Sequence, residues 1–128
     1  MKHLLKWNQR RRVLASRYRD AFHSLPVRLP STSTRVLPAY HLYIVQTMHS
    51  ASLKKWLNAH GIGCEIYYPM PLHHQRAWQD RFPVPDLPQA EAAAGTTLAL
   101  PIYPELTNEE QEIVIGKVVQ FFEEGNAL

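Results

Sequence analysis

HLYIVQTM at residues 41–48 runs directly into HSASLKKWLNAHG at residues 49–61. The first stretch is rich in β-branched and aromatic residues. Leu42 and Ile44 alternate against Tyr43 and Val45, as in a central strand covered on both faces. Ser50 is placed to cap the helix that follows, whose Leu53, Trp56, Leu57 and His60 share one side. Gly61 should end it, because a left-handed residue costs glycine little. A strand delivered straight into a capped helix indicates a sheet with helices packed on it.

Downstream, residues 63–67 can form a short strand. Pro69, Pro71, Pro83, Pro85 and Pro88 then punctuate a segment that reads as a long, structured loop. Asp86 can cap a short helix with Pro88 in its first turn and AEAAA as its body, before an apolar strand over residues 97–100. Thr107 and Glu110 stand at capping-box spacing, and Val114, Val118, Phe121 and Phe122 stripe a last helix that Gly125 stops. Upstream, Leu4, Trp7, Leu14, Tyr18, Phe22 and Leu25 recur at helical spacing over residues 2–24, with Arg11 interrupting the stripe and Pro26 ending it. Residues 30–38 read as a surface loop. The order predicts an α+β fold: a small, mainly antiparallel sheet packed with helices.

With 128 residues and 45% apolar content, the chain fits one globular domain. No run has the roughly 18 apolar residues of a membrane span, and the start lacks a signal peptide's apolar stretch, so no membrane association and a cytoplasmic location are expected. The lone Cys64 excludes an internal disulfide and reads as a small apolar residue. Lys2, Lys6, Arg10, Arg11, Arg12, Arg17 and Arg19 face only Asp20 in the first twenty residues. Such a helix has the charge to bind nucleic acid, but no accompanying motif supports that, and a solvated or partner-facing helix is expected instead.

Few residues look catalytic. His73 and His74 near Cys64 are ligand types for zinc, but neighbours on an extended chain point to opposite faces and no second cysteine completes a set, so no metal is expected. Ser52 and Lys55 match S-x-x-K without a second motif and read as surface helix residues. Glu109 and Glu110 suit a helix start. In EIYYPMPLH, residues 65–73, two tyrosines and a histidine leave a strand end into a proline-stiffened loop. That pattern fits a sugar or phosphate site and aromatic packing equally well.

Five segments in order carry a resemblance: NQRRR (8–12), YHLY (40–43), GIG (61–63), IYYPMPLHHQ (66–75) and LALPIYPELTNEEQ (98–111). Together they resemble the DegT/DnrJ/EryC1/StrS sugar-nucleotide aminotransferases over nearly the whole chain. IYYP is similar to the branch that aminates 3-keto sugars on thymidine diphosphate. The resemblance implies the small domain of a fold-type-I enzyme, starting inside the long interdomain helix and following a large domain that holds pyridoxal phosphate. It implies a parent reaction of amino transfer, with glutamate as expected donor, to a keto-sugar nucleotide. Residue by residue it places Tyr67 and Tyr68 at the mouth of the active site, to hydrogen-bond the sugar or its phosphates, with His73 as a third substrate-binding candidate. Tyr67 stands where many relatives have histidine, and His74 where they usually have leucine. The Schiff-base lysine, the acid against the pyridinium nitrogen and the phosphate cup belong to the family's large domain, so no catalytic or cofactor-binding residue is assigned here. The expectation is a truncated aminotransferase, inactive alone. The alternative is a nucleotide-sugar-binding module, or one that docks on a separate large-domain polypeptide. Self-association through Leu4, Leu5 and Trp7 is also expected, since uncovered apolar surface seeks partners.

Overall fold

A computed structural model describes residues 2–33 and 35–125. Its elements in chain order are α1 (Leu4–Phe22), β1 (Tyr43–Gln46), α2 (Ser50–Ala59), a 3-10 turn (Leu72–His74), α3 (Arg76–Gln79), α4 (Pro88–Thr96), β2 (Thr97–Leu100) and α5 (Asn108–Glu123). β1 and β2 pair antiparallel, with Tyr43 opposite Leu100 and Gln46 opposite Thr97. Single bridges extend the sheet on each side, Arg28 to Gln46 and Glu65 to Ala99. The fold is therefore α+β, a small antiparallel sheet packed against helices, and β1 does have a neighbour on each edge.

One face of the sheet carries the core. Tyr43 and Val45 of β1 and Leu98 and Leu100 of β2 are buried with Leu14, Tyr18 and Phe22 of α1, Leu53 and Leu57 of α2, and Val114, Val118 and Phe121 of α5. Ile44, on the opposite face of β1, is only half-buried, so the strand is fully covered on one face rather than two. Tyr18 stacks on Phe22 at 5.5 Å between ring centroids and tilts on Tyr43 at 5.0 Å, while its hydroxyl donates to the Pro101 carbonyl at 2.8 Å. Gln111, wholly buried, donates from its amide to the Leu14 carbonyl at 2.8 Å and fixes α5 against α1.

The ends of α5 form as their residues dictate. The Glu110 amide donates to the Thr107 hydroxyl oxygen at 3.1 Å, and the Thr107 amide donates to the Glu110 carboxylate at 2.8 Å. That bonding holds the Glu110 carboxyl below the usual carboxylate range. Beyond the helix, Gly125 takes φ +69.

α2 differs at its start and agrees at its end. Ser50 is the first helical residue, not the cap, and its buried hydroxyl donates to the Gly95 carbonyl at 3.0 Å. At the other end Gly61, at φ +75, donates its amide to Asn58, while the amide of Ile62 reaches back to Leu57. This pair of bonds is a Schellman closure, and the buried Leu57 and Ile62 provide its apolar contact.

α4 likewise has Leu87 rather than Asp86 at its N-cap, with Pro88 at the start as expected. Residues 63–67 do not make a full strand. On the Gly63 side of the Glu65–Ala99 bridge the ladder would next meet Pro101, which has no amide to donate, and on the other side the Ile66 amide donates to the Glu65 carboxylate at 2.8 Å.

The basic helix is largely spent within the molecule. Arg10 donates to the Leu106 carbonyl at 2.6 Å and Arg11 to the Ala39 carbonyl at 2.8 Å. Arg17 pairs with Glu112, and Arg19 donates to the Tyr40 hydroxyl at 3.2 Å. These cations tie α1 to α5 and to the loop before β1. Leu4 and Trp7 remain about two-fifths exposed and Leu5 more so, and the apolar stripe enters the core only from Leu14 onward.

Candidate functional site

The half-covered face of the sheet opens into a groove of about 380 Å³. Its floor is Leu42 and Ile44; Tyr67, Tyr68, Pro71 and Leu72 form one wall, and Ala90, Ala93 and Ala94 of α4 with Thr97 form the other. Alanine keeps the α4 wall low, so the chain after Glu65 can run beside it without filling the space. The volume lies within the range of small-molecule sites.

Tyr67 and Tyr68 are 47% and 67% exposed, so both phenol groups are free to meet a ligand. Tyr68 has φ 58, a left-handed conformation that a bulky side chain adopts only at a cost. This kink turns the chain off the sheet edge immediately before Pro69. Tyr67 also borders a second depression, of about 380 Å³, lined by His41, Cys64, Glu65, Leu100 and Pro101 among others. There Glu65 pairs with Lys54, which holds its carboxyl below the ordinary range. Burial pushes the Cys64 thiol up, with its sulfur directed toward the Lys54 carbonyl at 3.8 Å, as suits a packing residue rather than a nucleophile.

His73 does not join the two tyrosines. It is 5% exposed and sits behind the groove, with Nε2 3.3 Å from the Glu91 carboxylate of α4. His74 reaches the same oxygen at 3.5 Å, and the two rings meet edge to face at 4.3 Å. The expectation that these neighbours point apart assumed extended backbone. Residues 72–74 form a 3-10 turn instead, which brings both rings to one side. Glu91 is the residue that sequence reasoning missed. It lies eighteen positions from His73, within a run of alanines whose only legible property is helix formation.

The lysines do not make a cofactor site. Lys54 is engaged by Glu65, and Lys117 donates to Gln120 at 2.8 Å. Lys55 lines a shallow site with Ser52, Trp56, Ala59 and Phe121, which holds no acid for a pyridinium nitrogen. Ser52 donates its hydroxyl to the His49 carbonyl at 3.0 Å, so the S-x-x-K match is a helix surface. Lys2 and Lys6 are exposed near the start of α1. The residues described here do not fit pyridoxal phosphate.

Residues 1–119 match the profile of the DegT/DnrJ/EryC1/StrS aminotransferase family. The chain belongs to that family. Over 123 residues it is 37% identical to the dTDP-3-amino-3,4,6-trideoxy-alpha-D-glucose transaminase of Streptomyces venezuelae, covering 94% of this chain and 32% of that protein. The crystal structure of S. venezuelae DesV in complex with a ketimine intermediate superposes with a TM-score of 0.90 at 36% identity, over 95% of this chain and 33% of that one. NtdA from Bacillus subtilis, solved with bound cofactor PMP, superposes at 0.84 with 29% identity, over 96% of this chain and 30% of that one. The chain thus spans about a third of the length of the relatives it matches, and its fold is that of the small domain of fold-type-I aminotransferases.

Proposed function

We propose that residues 1–128 act as one small domain that contributes the substrate-facing wall of a sugar-nucleotide aminotransferase. The parent reaction is amino transfer, with glutamate as donor, to a keto-sugar nucleotide. Tyr67 and Tyr68 donate hydrogen bonds to the sugar or its phosphates. The observation that carries this reading is the placement of two exposed phenols on one wall of an otherwise apolar groove, with Tyr68 held at φ 58. His73, buried against Glu91, supports the wall from behind rather than touching substrate.

The Schiff-base lysine, its acidic partner and the phosphate cup come, on this reading, from a large domain beyond these residues. A cytoplasmic location goes with such chemistry, and no helix among the described residues is long and apolar enough to cross a membrane. Supplied with pyridoxal phosphate, glutamate and a panel of keto-sugar nucleotides, the purified chain is expected to form no 2-oxoglutarate. Saturable turnover abolished by a single lysine substitution would overturn this assignment.

We further propose that the apolar start of α1 is a contact surface for a second copy of the chain. Leu5 is largely exposed, and Leu4 and Trp7 beside it are each about two-fifths exposed, so the start of α1 presents apolar surface to solvent. Sedimentation velocity of the isolated chain should show concentration-dependent dimers that Leu5→Glu abolishes. A monomer across the whole accessible concentration range would sink the idea.

A further inference from the structure

His73, His74 and Glu91 form a cluster behind the groove that does not line it. One ligating atom from each residue lies within 4.8 Å of the other two. Both imidazole Nε2 atoms converge on one Glu91 oxygen, at 3.3 and 3.5 Å. Zinc bonds to nitrogen and oxygen of about 2.0–2.2 Å place neighbouring ligands of a tetrahedral ion about 3.3–3.6 Å apart, so these two separations are those of a tetrahedron's edges. The third edge, between the histidines, lies within 4.8 Å and can adjust by rotation of the His74 ring, which is 37% exposed, whereas His73 is held at 5%.

The residue types agree with the geometry. Two neutral imidazoles and a carboxylate are a zinc-class donor set, leaving one position open to water on the exposed side of Glu91. The ligands come from two elements. His73 and His74 belong to the 3-10 turn, and Glu91 to the first turn of α4. Pro71 and Leu72 beside the histidines, and Ala90 beside the glutamate, line opposite walls of the groove.

We propose that His73, His74 and Glu91 bind a divalent transition-metal ion of the zinc class, which clips the aromatic loop to α4 and sets the width of the groove. The assignment rests on this geometry and stands apart from the sugar-nucleotide reading. An ion there acts by cross-linking, since it removes freedom from a proline-rich loop by joining it to α4 through three side chains.

The test is titration of the metal-free full chain with Zn²⁺ by calorimetry, and with Co²⁺ by the visible absorbance of a tetrahedral complex. One equivalent should bind with low-micromolar or tighter affinity and raise the thermal midpoint. His74→Ala and Glu91→Ala both change partly exposed side chains. Each should weaken binding at least about tenfold, since even outer-shell changes at metal sites cost that much. Absence of saturable binding up to millimolar metal would overturn the proposal. So would parental affinity in either variant, which would place the ion on other histidines.

Discussion

Phe121→Ala is expected to remove about 3–5 kcal/mol of stability, a large part of what a domain of this size has. Phe121 is 1% exposed where α5 crosses α2. Its ring lies 6.3 Å from Trp56 and edge-on to Phe122 at 5.0 Å. Trp56 cannot swing in to fill the hole, because its indole N–H is committed to the Lys117 carbonyl at 3.1 Å. Urea denaturation should show a much lower midpoint with an unchanged slope. Ile113→Ala, on the exposed side of the same helix, should cost about 0.5 kcal/mol or less. A loss below about 1 kcal/mol for Phe121→Ala would mean that α2 and α5 are not packed as described.

The second large effect is alkaline. Burial is the main reason that Tyr18 is pushed far above the ordinary phenol range and Tyr43 up to about 12. Both phenols are neutral in the fold and ionise near pH ~10 once unfolded. Their contribution is therefore complete below that value and is lost as pH rises through the folded values. Each shielded tyrosine should remove up to about 1.4 kcal/mol per pH unit over that window. The Tyr43 hydroxyl is buried and has no hydrogen-bond partner among the described residues. Tyr43→Phe should therefore leave neutral-pH stability unchanged or slightly raised, and should make the decline above pH ~10 shallower. Tyr18→Phe also makes it shallower, but costs stability at neutral pH by orphaning the Pro101 carbonyl. Equilibrium unfolding across the alkaline range checks both, and an unchanged decline in Tyr43→Phe would contradict the burial described.

What the sequence makes legible here is what local chemistry decides. The capping box of α5, the Gly61 closure of α2 and the strand at residues 97–100 depend on neighbours within a few positions, and all three form as expected. Ser50 was legible as a helix-start residue, but its hydroxyl is taken by Gly95, forty-five positions away. The pairing of residues 63–67 stops at one bridge, and on the Gly63 side it meets Pro101, just past the end of β2, a register effect that no local pattern shows. The same division holds at the site. Tyr67 and Tyr68 were legible as a pair on a stiff loop, and the groove they border follows from the small residues of α4 across from them. The grouping of His73 and His74 on one side was not legible, since it depends on a 3-10 turn where extended chain was expected, nor was their partner Glu91.

The central claim is that the Tyr67–Tyr68 wall recognises a sugar nucleotide, and ligand-observed NMR titration of the purified chain with thymidine- and uridine-diphospho sugars tests it most directly. The account predicts weak, saturable binding that Tyr68→Phe reduces roughly two- to tenfold, the value of one hydrogen bond. No saturable binding at millimolar ligand, or binding indifferent to that substitution, would contradict it.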